Sequence, residues 1–278
     1  MSTKKVWFVT GASQGLGLTL VQELLKAGYR VAATSRKAAA LREAVPASEH
    51  FLPLEVDLTN EESVKQAIRE TVSHFGSMDV VVNNAGYGQL GAVEELTDEE
   101  VRRSFDVNVF GLLHVLRHAM PHLRARQSGH IFNIASVAGY SGNFPGWSTY
   151  IATKFAVVGL SEALAEEAAP FGIRVSVVMP GYFRTNFLAS GSLAQPAHAL
   201  DVYANVRESS AAHTEQINGN QPGDPVKAAA VLMAQAEAPK QVVHLFLGED
   251  AYARAATQMK TVTTDMAEVA TMATATAF

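Results

Sequence analysis

The chain has 278 residues, 48% of them hydrophobic, which suits one large α/β domain with a sizeable core and excludes a disordered or fibrous protein. Its 22 Lys+Arg against 27 Asp+Glu leave a net charge of −5, without the basic balance that nucleic acid calls for, and no cysteine is present for disulfide or thiolate chemistry. No apolar run is long enough to span a bilayer and no secretory pattern is read at the start, so a soluble cytoplasmic protein is expected.

The apolar run Val6–Val9 reads as a buried parallel strand. Thr10-Gly11-Ala12-Ser13-Gln14-Gly15-Leu16-Gly17 follows, and a helical pattern from Leu18 to Leu25 comes next, ended at Gly28. A helix start offers unpaired N–H groups and a partial positive charge, and glycines let a ligand approach the backbone. Gly11, Ser13, Gln14, Gly15, Leu16 and Gly17 are therefore candidates for a dinucleotide pyrophosphate seat. An ordinary strand-to-helix turn that needs glycine only sterically has the same form. The T-G-x-x-x-G-x-G spacing differs from the common G-x-G-x-x-G and resembles the glycine motif of the short-chain dehydrogenase/reductase family. That resemblance implies a doubly wound Rossmann fold: a seven-stranded parallel sheet with helices on both faces, spanning residues 1–278 as one domain.

Arg30–Thr34 reads as the second strand, followed by Ser35, Arg36 and Lys37. In a doubly wound sheet this point faces the adenosine ribose. An acidic residue there would bind the free ribose hydroxyls of NAD. A hydroxyl and two cations suit a 2′-phosphate instead, so NADP(H) is favoured over NAD(H), with Ser35 and Arg36 as its ligands. A solvated loop would account for the cations but not for the missing acid. Phe51–Val56 is the third strand. The Asp57-Leu58 pair after it matches the family's adenine contact, and it also reads as a capping turn for a helix over 61–75 that Gly76 stops. Asp79–Val82 is the fourth strand, leading into Asn83-Asn84-Ala85-Gly86. This N-N-A-G string matches the family in register with the glycine motif, and there Asn84, Ala85 and Gly86 border the cofactor.

A capping box at Thr97–Glu100 starts one long helix, read to about Arg126 with Gly111 inside it. Asn108 falls mid-helix, a poor position for its propensity. The residues alone favour a packed or solvated Asn; the family's Asn-x-x-Gly, here Asn108–Gly111, implies a member of a proton relay that holds a water toward Lys154. His114, His118 and His122 form one helical stripe. No acid or cysteine completes a site, so a packing or subunit face is the reading and no metal is expected.

Gly129–Ala135 is the fifth strand, ending at Ser136, and a Gly-rich loop runs to Trp147. Tyr150 and Lys154 then share one helix face, ~5–6 Å apart. Reduction of a ketone builds negative charge on its oxygen, which must gain a proton. A tyrosine can give it if its pKa, ordinarily near ~10, is lowered by a nearby ammonium. A serine hydroxyl can hold the oxygen. These roles match the family's Ser136, Tyr150 and Lys154, with Asn108 as the fourth member and Tyr150 and Lys154 also touching the cofactor. Ser136 and Tyr150 stand 14 apart, one more than the family's commonest spacing, and the Gly-rich loop can absorb the extra residue. Ser141 and Ser148 are the alternatives, but neither ends a strand.

Ile173–Met179 is the sixth strand. Pro180, Gly181, Phe183 and Thr185 match the family residues that line the nicotinamide carboxamide. Residues 186–225 read as a substrate lid with one or two helices. Phe144, Trp147, Tyr182, Phe187, Leu188, Leu193 and Tyr203 predict an apolar pocket. A helix from Asp224-Pro225 to Ala238, a last strand Gln241–Leu247 and a helix from Glu249 complete the pattern. The tail 261–278 is left open between packing, a subunit interface and mobility.

The resemblance, closest to the carbonyl reductase and hydroxysteroid dehydrogenase branch, implies an NADP(H)-dependent oxidoreductase interconverting a ketone or aldehyde and an alcohol. Its partners would be a small apolar or aromatic carbonyl or alcohol, no nucleic acid and no membrane, in a homodimer or homotetramer. The alternatives are a 3-oxoacyl-(acyl-carrier) reductase, for which the acidic balance gives little sign, and a non-catalytic NADP(H)-binding sensor or scaffold.

Overall fold

The computed structural model describes residues 4–276 and 278 except 190 and 241. In chain order the elements are β1 (Val6–Val9), α1 (Gly15–Lys26), β2 (Arg30–Ser35), α2 (Ala38–Ala44), β3 (Phe51–Glu55), α3 (Glu61–Phe75), β4 (Val80–Asn83), β5 (Gly88–Gln89), α4 (Asp98–Phe105), α5 (Gly111–Arg126), β6 (Gly129–Ile134), α6 (Ser148–Ala168), β7 (Ile173–Pro180), β8 (Leu193–Ala194), α7 (Ala204–Ala211), α8 (Pro225–Glu237), β9 (His244–Leu247) and α9 (Glu249–Ala273). Seven strands form one parallel sheet in the order β3-β2-β1-β4-β6-β7-β9. The order reverses between β1 and β4, which opens a crevice at the carboxyl ends of those strands.

The two-residue period of the strands sorts side chains between two cores. Phe8, Val81, Ile131 and Val175 meet α3, α5 and α6 through Ile68, Val115, Leu116 and Val157. Trp7, Val9, Val31 and Phe132 face the other way, onto Leu20 and Leu24 of α1, Leu41 of α2 and Leu232 of α8. Both faces of the sheet are thereby covered, as the continuous apolar runs require. Pro53 is tolerated because β3 is an edge strand.

The structure departs from the sequence reading in three places and fills in the tail that the reading left open. The short helix α2 was not anticipated, since seven residues carry too little periodicity. The long helix over 97–126 is instead α4 and α5 joined by a widened π turn, Asp106–Phe110, with Asn108 buried inside it. The last strand begins at His244, and Gln241 lies outside the described residues. Most of the tail is helical: α9 runs on to Ala273, with only Ala251 and Ala255 buried, and Met259, Val262, Met266 and Val269 exposed along it. Ala277, within the tail, lies outside the described residues, and so does Ser190 within 186–225.

The segment after β7 folds back over the sheet's carboxyl edge. Its strand β8 pairs with β5 (Gly88↔Leu193, Gln89↔Ala194). Buried Glu95 holds it further, accepting from the Leu200 N–H at 2.7 Å and pairing with Arg207 at 2.5 Å. Among the described residues no helix is long and apolar enough to cross a membrane.

Candidate active site

A cavity of about 1160 Å³ lies at the carboxyl ends of the strands. It is lined at one end by Ser35, Arg36, Asp57 and Leu58, along its length by Gly11, Ser13, Gln14, Gly15, Leu16, Asn84, Ala85 and Gly86, and at the other end by Ser136, Tyr150, Lys154, Pro180, Gly181, Phe183 and Thr185. Gly17 and Asn108 do not line it.

The glycine turn and the N-N-A-G segment are laced together beneath the cavity. The Thr10 hydroxyl accepts from the backbone N–H of Asn84 (3.0 Å) and Ala85 (3.1 Å), and the Asn84 amide donates to Thr10 O and Gly11 O, both at 3.0 Å. Gly11 has φ +64, and a Cβ there would lie 2.6 Å from the Ala85 Cα. Gly17 is closely packed: a Cβ there would meet the Asn84 amide nitrogen at 2.4 Å and Gly11 O at 2.7 Å. Gly17→Ala is accordingly expected to displace Asn84 and lower unfolding free energy by about 1–3 kcal/mol. A urea melt checks this, and an unchanged midpoint refutes it.

The first turn of α1 has no side-chain cap and no acidic residue, so its N–H groups are open to an anion. Gln14 donates from Nε2 to the Ser192 hydroxyl at 2.6 Å, tying this turn to the segment after β7. At the far end Arg36 is exposed and makes no ion pair among the described residues. Asp57 turns one oxygen inward, accepting from Thr59 N (2.9 Å) and Oγ1 (2.7 Å). Lys37, the second expected cation, is not in the lining. An elongated crevice with open helix N–H groups in its middle and an unpaired guanidinium at one end fits a dinucleotide bearing a 2′-phosphate.

At the other end, Tyr150 and Lys154 project from one face of α6, both almost fully buried. Ser136 caps the short turn after β6, its hydroxyl accepting from Ala138 N at 3.1 Å, and it also hydrogen-bonds the Tyr150 hydroxyl. Lys154 Nζ donates to Ile134 O at 2.9 Å and lies 5.7 Å from the Tyr150 ring centre. Ser141 and Ser148 lie outside the lining. Asn108 sits below. Its amide nitrogen donates to Tyr87 O (3.0 Å) and Thr153 Oγ1 (3.1 Å), and its Oδ1 accepts from Tyr87 N (3.0 Å). Both donors of its amide are thus met by protein groups. Thr153, which donates to Tyr150 O at 2.7 Å, was missed.

The electrostatics also depart from expectation. Burial pushes the Tyr150 hydroxyl up to about 12; the Ser136 hydrogen bond opposes this and nearby Tyr182 adds to it. Burial pushes Lys154 down to about 8. The ammonium that was to lower the tyrosine is itself penalised by desolvation, which is the largest influence on both groups.

Deeper still, Asn83 donates to Asn133 Oδ1 (2.8 Å), Asn133 donates to Ser161 Oγ (2.9 Å), and Ser161 donates to Val157 O (2.6 Å). This buried chain joins β4, β6 and α6 under the site. Its sequence signal was available, for Asn is depleted in strands and both Asn83 and Asn133 interrupt apolar runs.

The outer wall is aromatic. Tyr150 lies 5.6 Å from the Trp147 ring and 5.7 Å from Phe187, and Phe144, Tyr182, Leu188 and Leu193 complete the expected set. Tyr203 does not belong to it, since its hydroxyl donates to Glu94 at the surface. His213 and Gln221 line the wall and were missed, because nothing in their flanks marks them. His114 and His118 are held by Leu58 O (2.8 Å) and Glu61 (2.9 Å). Among the described residues no group of three or more His, Cys, Asp or Glu is placed to hold a metal.

Comparison with known proteins adds four findings. A family model described as short chain dehydrogenase matches residues 5–195. The oxidoreductase BOA17 of Botryotinia fuckeliana is 35% identical over 249 residues, 89% of this chain and 90% of that protein. Among solved structures, a short-chain dehydrogenase from Streptomyces avermitilis superposes with TM-score 0.88 at 37% identity, covering 98% of this chain and all of that one (100%). ElxO with NADP bound superposes with TM-score 0.73 at 25% identity over 90% of this chain and 100% of that one.

Proposed function

The chain belongs to the short-chain dehydrogenase family, and from that premise we propose that it is an NADP(H)-dependent reductase interconverting a ketone or aldehyde and its alcohol. The observation that carries the reading is the convergence of Ser136, Tyr150 and Lys154 on one end of a cavity whose other end presents Arg36. When bound, the dinucleotide supplies the hydride. The glycine turn and the open first turn of α1 hold its pyrophosphate, and Arg36 with Ser35 holds the 2′-phosphate. Asp57 and Leu58 border the adenine, and Asn84, Ala85 and Gly86 keep the floor low. Pro180, Gly181, Phe183 and Thr185 orient the nicotinamide end. Ser136 holds the carbonyl oxygen, Tyr150 gives it a proton, and Lys154 binds the nicotinamide ribose and the relay. Asn108 positions this set through Tyr87 and Thr153. The aromatic wall and residues 186–225, acting as a lid, exclude water from an apolar substrate. The NADP-bound ElxO supports the choice of cofactor. An intact Ser-Tyr-Lys set argues against a sensor without turnover. Exposed Phe110 and Phe155, beside the Asn108 and Tyr150 helices, support pairing into a dimer or tetramer.

The deciding experiment follows absorbance of the reduced nicotinamide with a panel of apolar and aromatic ketones, NADPH against NADH. Ketone-dependent oxidation of NADPH in preference to NADH is expected. Arg36→Ala should lower the NADPH-to-NADH ratio of kcat/KM by about 10- to 100-fold, the worth of one or two charge-assisted hydrogen bonds. A ratio that Arg36→Ala leaves unmoved removes the phosphate argument, and absence of turnover with every ketone removes the enzyme reading.

A further inference from the structure

Two side chains of the cavity wall have no part in the chemistry above. Tyr182 lines the cavity directly after the Pro180-Gly181 turn, and His213 lines it from the widened turn Ala212–Ile217 that follows α7. The His213 ring is buried, 4.8 Å from Trp147 and 6.1 Å from Phe144. Its Nδ1 lies 2.7 Å from the Ser209 carbonyl oxygen, which can only accept, so Nδ1 carries a proton. Burial lowers the pKa of the imidazole, the Ser209 carbonyl opposes and Arg254 adds to the lowering, so the ring is neutral and Nε2 is a bare lone pair. The Tyr182 hydroxyl lies 2.9 Å from that nitrogen and donates its single proton there.

A tyrosine ordinarily offers both a donor and an acceptor. Here the Ser209 carbonyl, acting through the imidazole, fixes which one is left: Tyr182 presents lone pairs only. Tyr182 and Tyr150 line the same cavity, and the rings of Tyr150 and His213 both meet Trp147, at 5.6 and 4.8 Å, so the pair stands on the wall beside the Tyr150 end. The wall holds a second uncommitted acceptor. Gln221 is 2% exposed, its amide nitrogen faces Thr185 O at 3.5 Å, and its Oε1 has no hydrogen-bond partner among the described residues.

We propose that the Tyr182–His213 pair is a recognition subsite that selects ketones carrying a hydrogen-bond donor, a hydroxyl or an amino group, beside the carbonyl. The proposal rests on the reductase reading and names its substrate class. A substrate hydroxyl donates to the Tyr182 oxygen. An ether oxygen in the same place sets lone pair against lone pair and leaves acceptors unpaired in an aromatic wall, where that is costly.

The test compares kcat/KM with NADPH for three aryl ketones of one skeleton: 2-hydroxyacetophenone, 2-methoxyacetophenone and propiophenone. The wild-type protein is expected to favour the hydroxy over the methoxy ketone by about tenfold or more, because a site built to bind a donor rejects analogues that lack it. Tyr182→Phe should bring that ratio to near one, whatever it does to turnover as a whole. His213→Phe keeps a ring against Trp147 but releases the Tyr182 proton to donate, so the methoxy ketone should gain on the hydroxy ketone. A ratio unchanged in both variants overturns the proposal, and wild-type turnover of propiophenone then leaves the reductase reading standing. Failure of the wild-type protein to turn over any of the three ends both.

Discussion

Tyr150→Phe is expected to keep the fold and the binding of NADP(H) and to lose on the order of a thousandfold in turnover, the usual scale for removing a general acid. The change deletes one oxygen from a ring packed against Trp147 and Phe187, so the aromatic contacts survive. It leaves the Ser136 hydroxyl without its tyrosine partner, though Ser136 still accepts from Ala138 N. What disappears is the only hydroxyl on α6 that meets Ser136 within the cavity and can hand a proton to the carbonyl oxygen. Steady-state rates with the best ketone, set beside a fluorescence titration of NADPH, separate the two effects. A Phe variant that binds NADPH and retains near wild-type rates refutes the role given to Tyr150. With the native hydroxyl raised to about 12 by burial, the protonated form that reduction needs is present throughout the neutral range, whereas oxidation of an alcohol needs the tyrosinate and should accelerate with alkali.

Lys154→Met should cost at least about a hundredfold in turnover while making the protein's stability less dependent on pH. The ammonium is buried, donates to a single carbonyl, and is lowered from its ordinary value of 10.5 to about 8 by desolvation alone. For a base whose folded pKa lies below its unfolded one, the unfolded chain binds more protons between the two values. Stability therefore rises with pH across the window from about 8 to 10.5, and the penalty is complete below it. Between pH 7 and pH 9.5 the wild-type protein should gain about 2 kcal/mol over the Met variant. Denaturant melts of both proteins at those two pH values provide the check. The range stops short of pH 10, because raised Tyr150 contributes the opposite slope above the unfolded tyrosine value. Parallel stability profiles in the two proteins would show that Lys154 is not desolvated as described.

The sheet and the line of the cavity were readable in the sequence because both rest on local signals. Val6–Val9, Val80–Val82 and Ile131 with Phe132 announce themselves as apolar runs, and Gly11, Asn84, Ser136, Tyr150 and Lys154 carry fixed spacings. What escaped depends on contacts between distant parts of the chain. The π turn that buries Asn108 arises where α4 and α5 meet the Tyr87 backbone and Thr153, neither of which is near it in sequence. The direction of the Tyr150 shift depends on how completely the site is desolvated, a quantity that spacing does not contain. His213 enters the wall only because residues 186–225 fold back through β8 and the Glu95–Arg207 pair. The close fit of Gly17 against Asn84, likewise, is a contact between distant segments that its place in the glycine motif did not reveal.

The hydrogen bond from Gln14 to Ser192 joins the turn proposed to receive a pyrophosphate to the segment proposed to cover a substrate. Two ligands whose seats share a bonded contact cannot have independent affinities if either seat moves on binding. Thermodynamic reciprocity then sets a symmetry: the factor by which a bound alcohol tightens the dinucleotide is the factor by which the dinucleotide tightens the alcohol. A single side-chain contact thereby makes the coupling a property of the loop, the same whichever ligand arrives first.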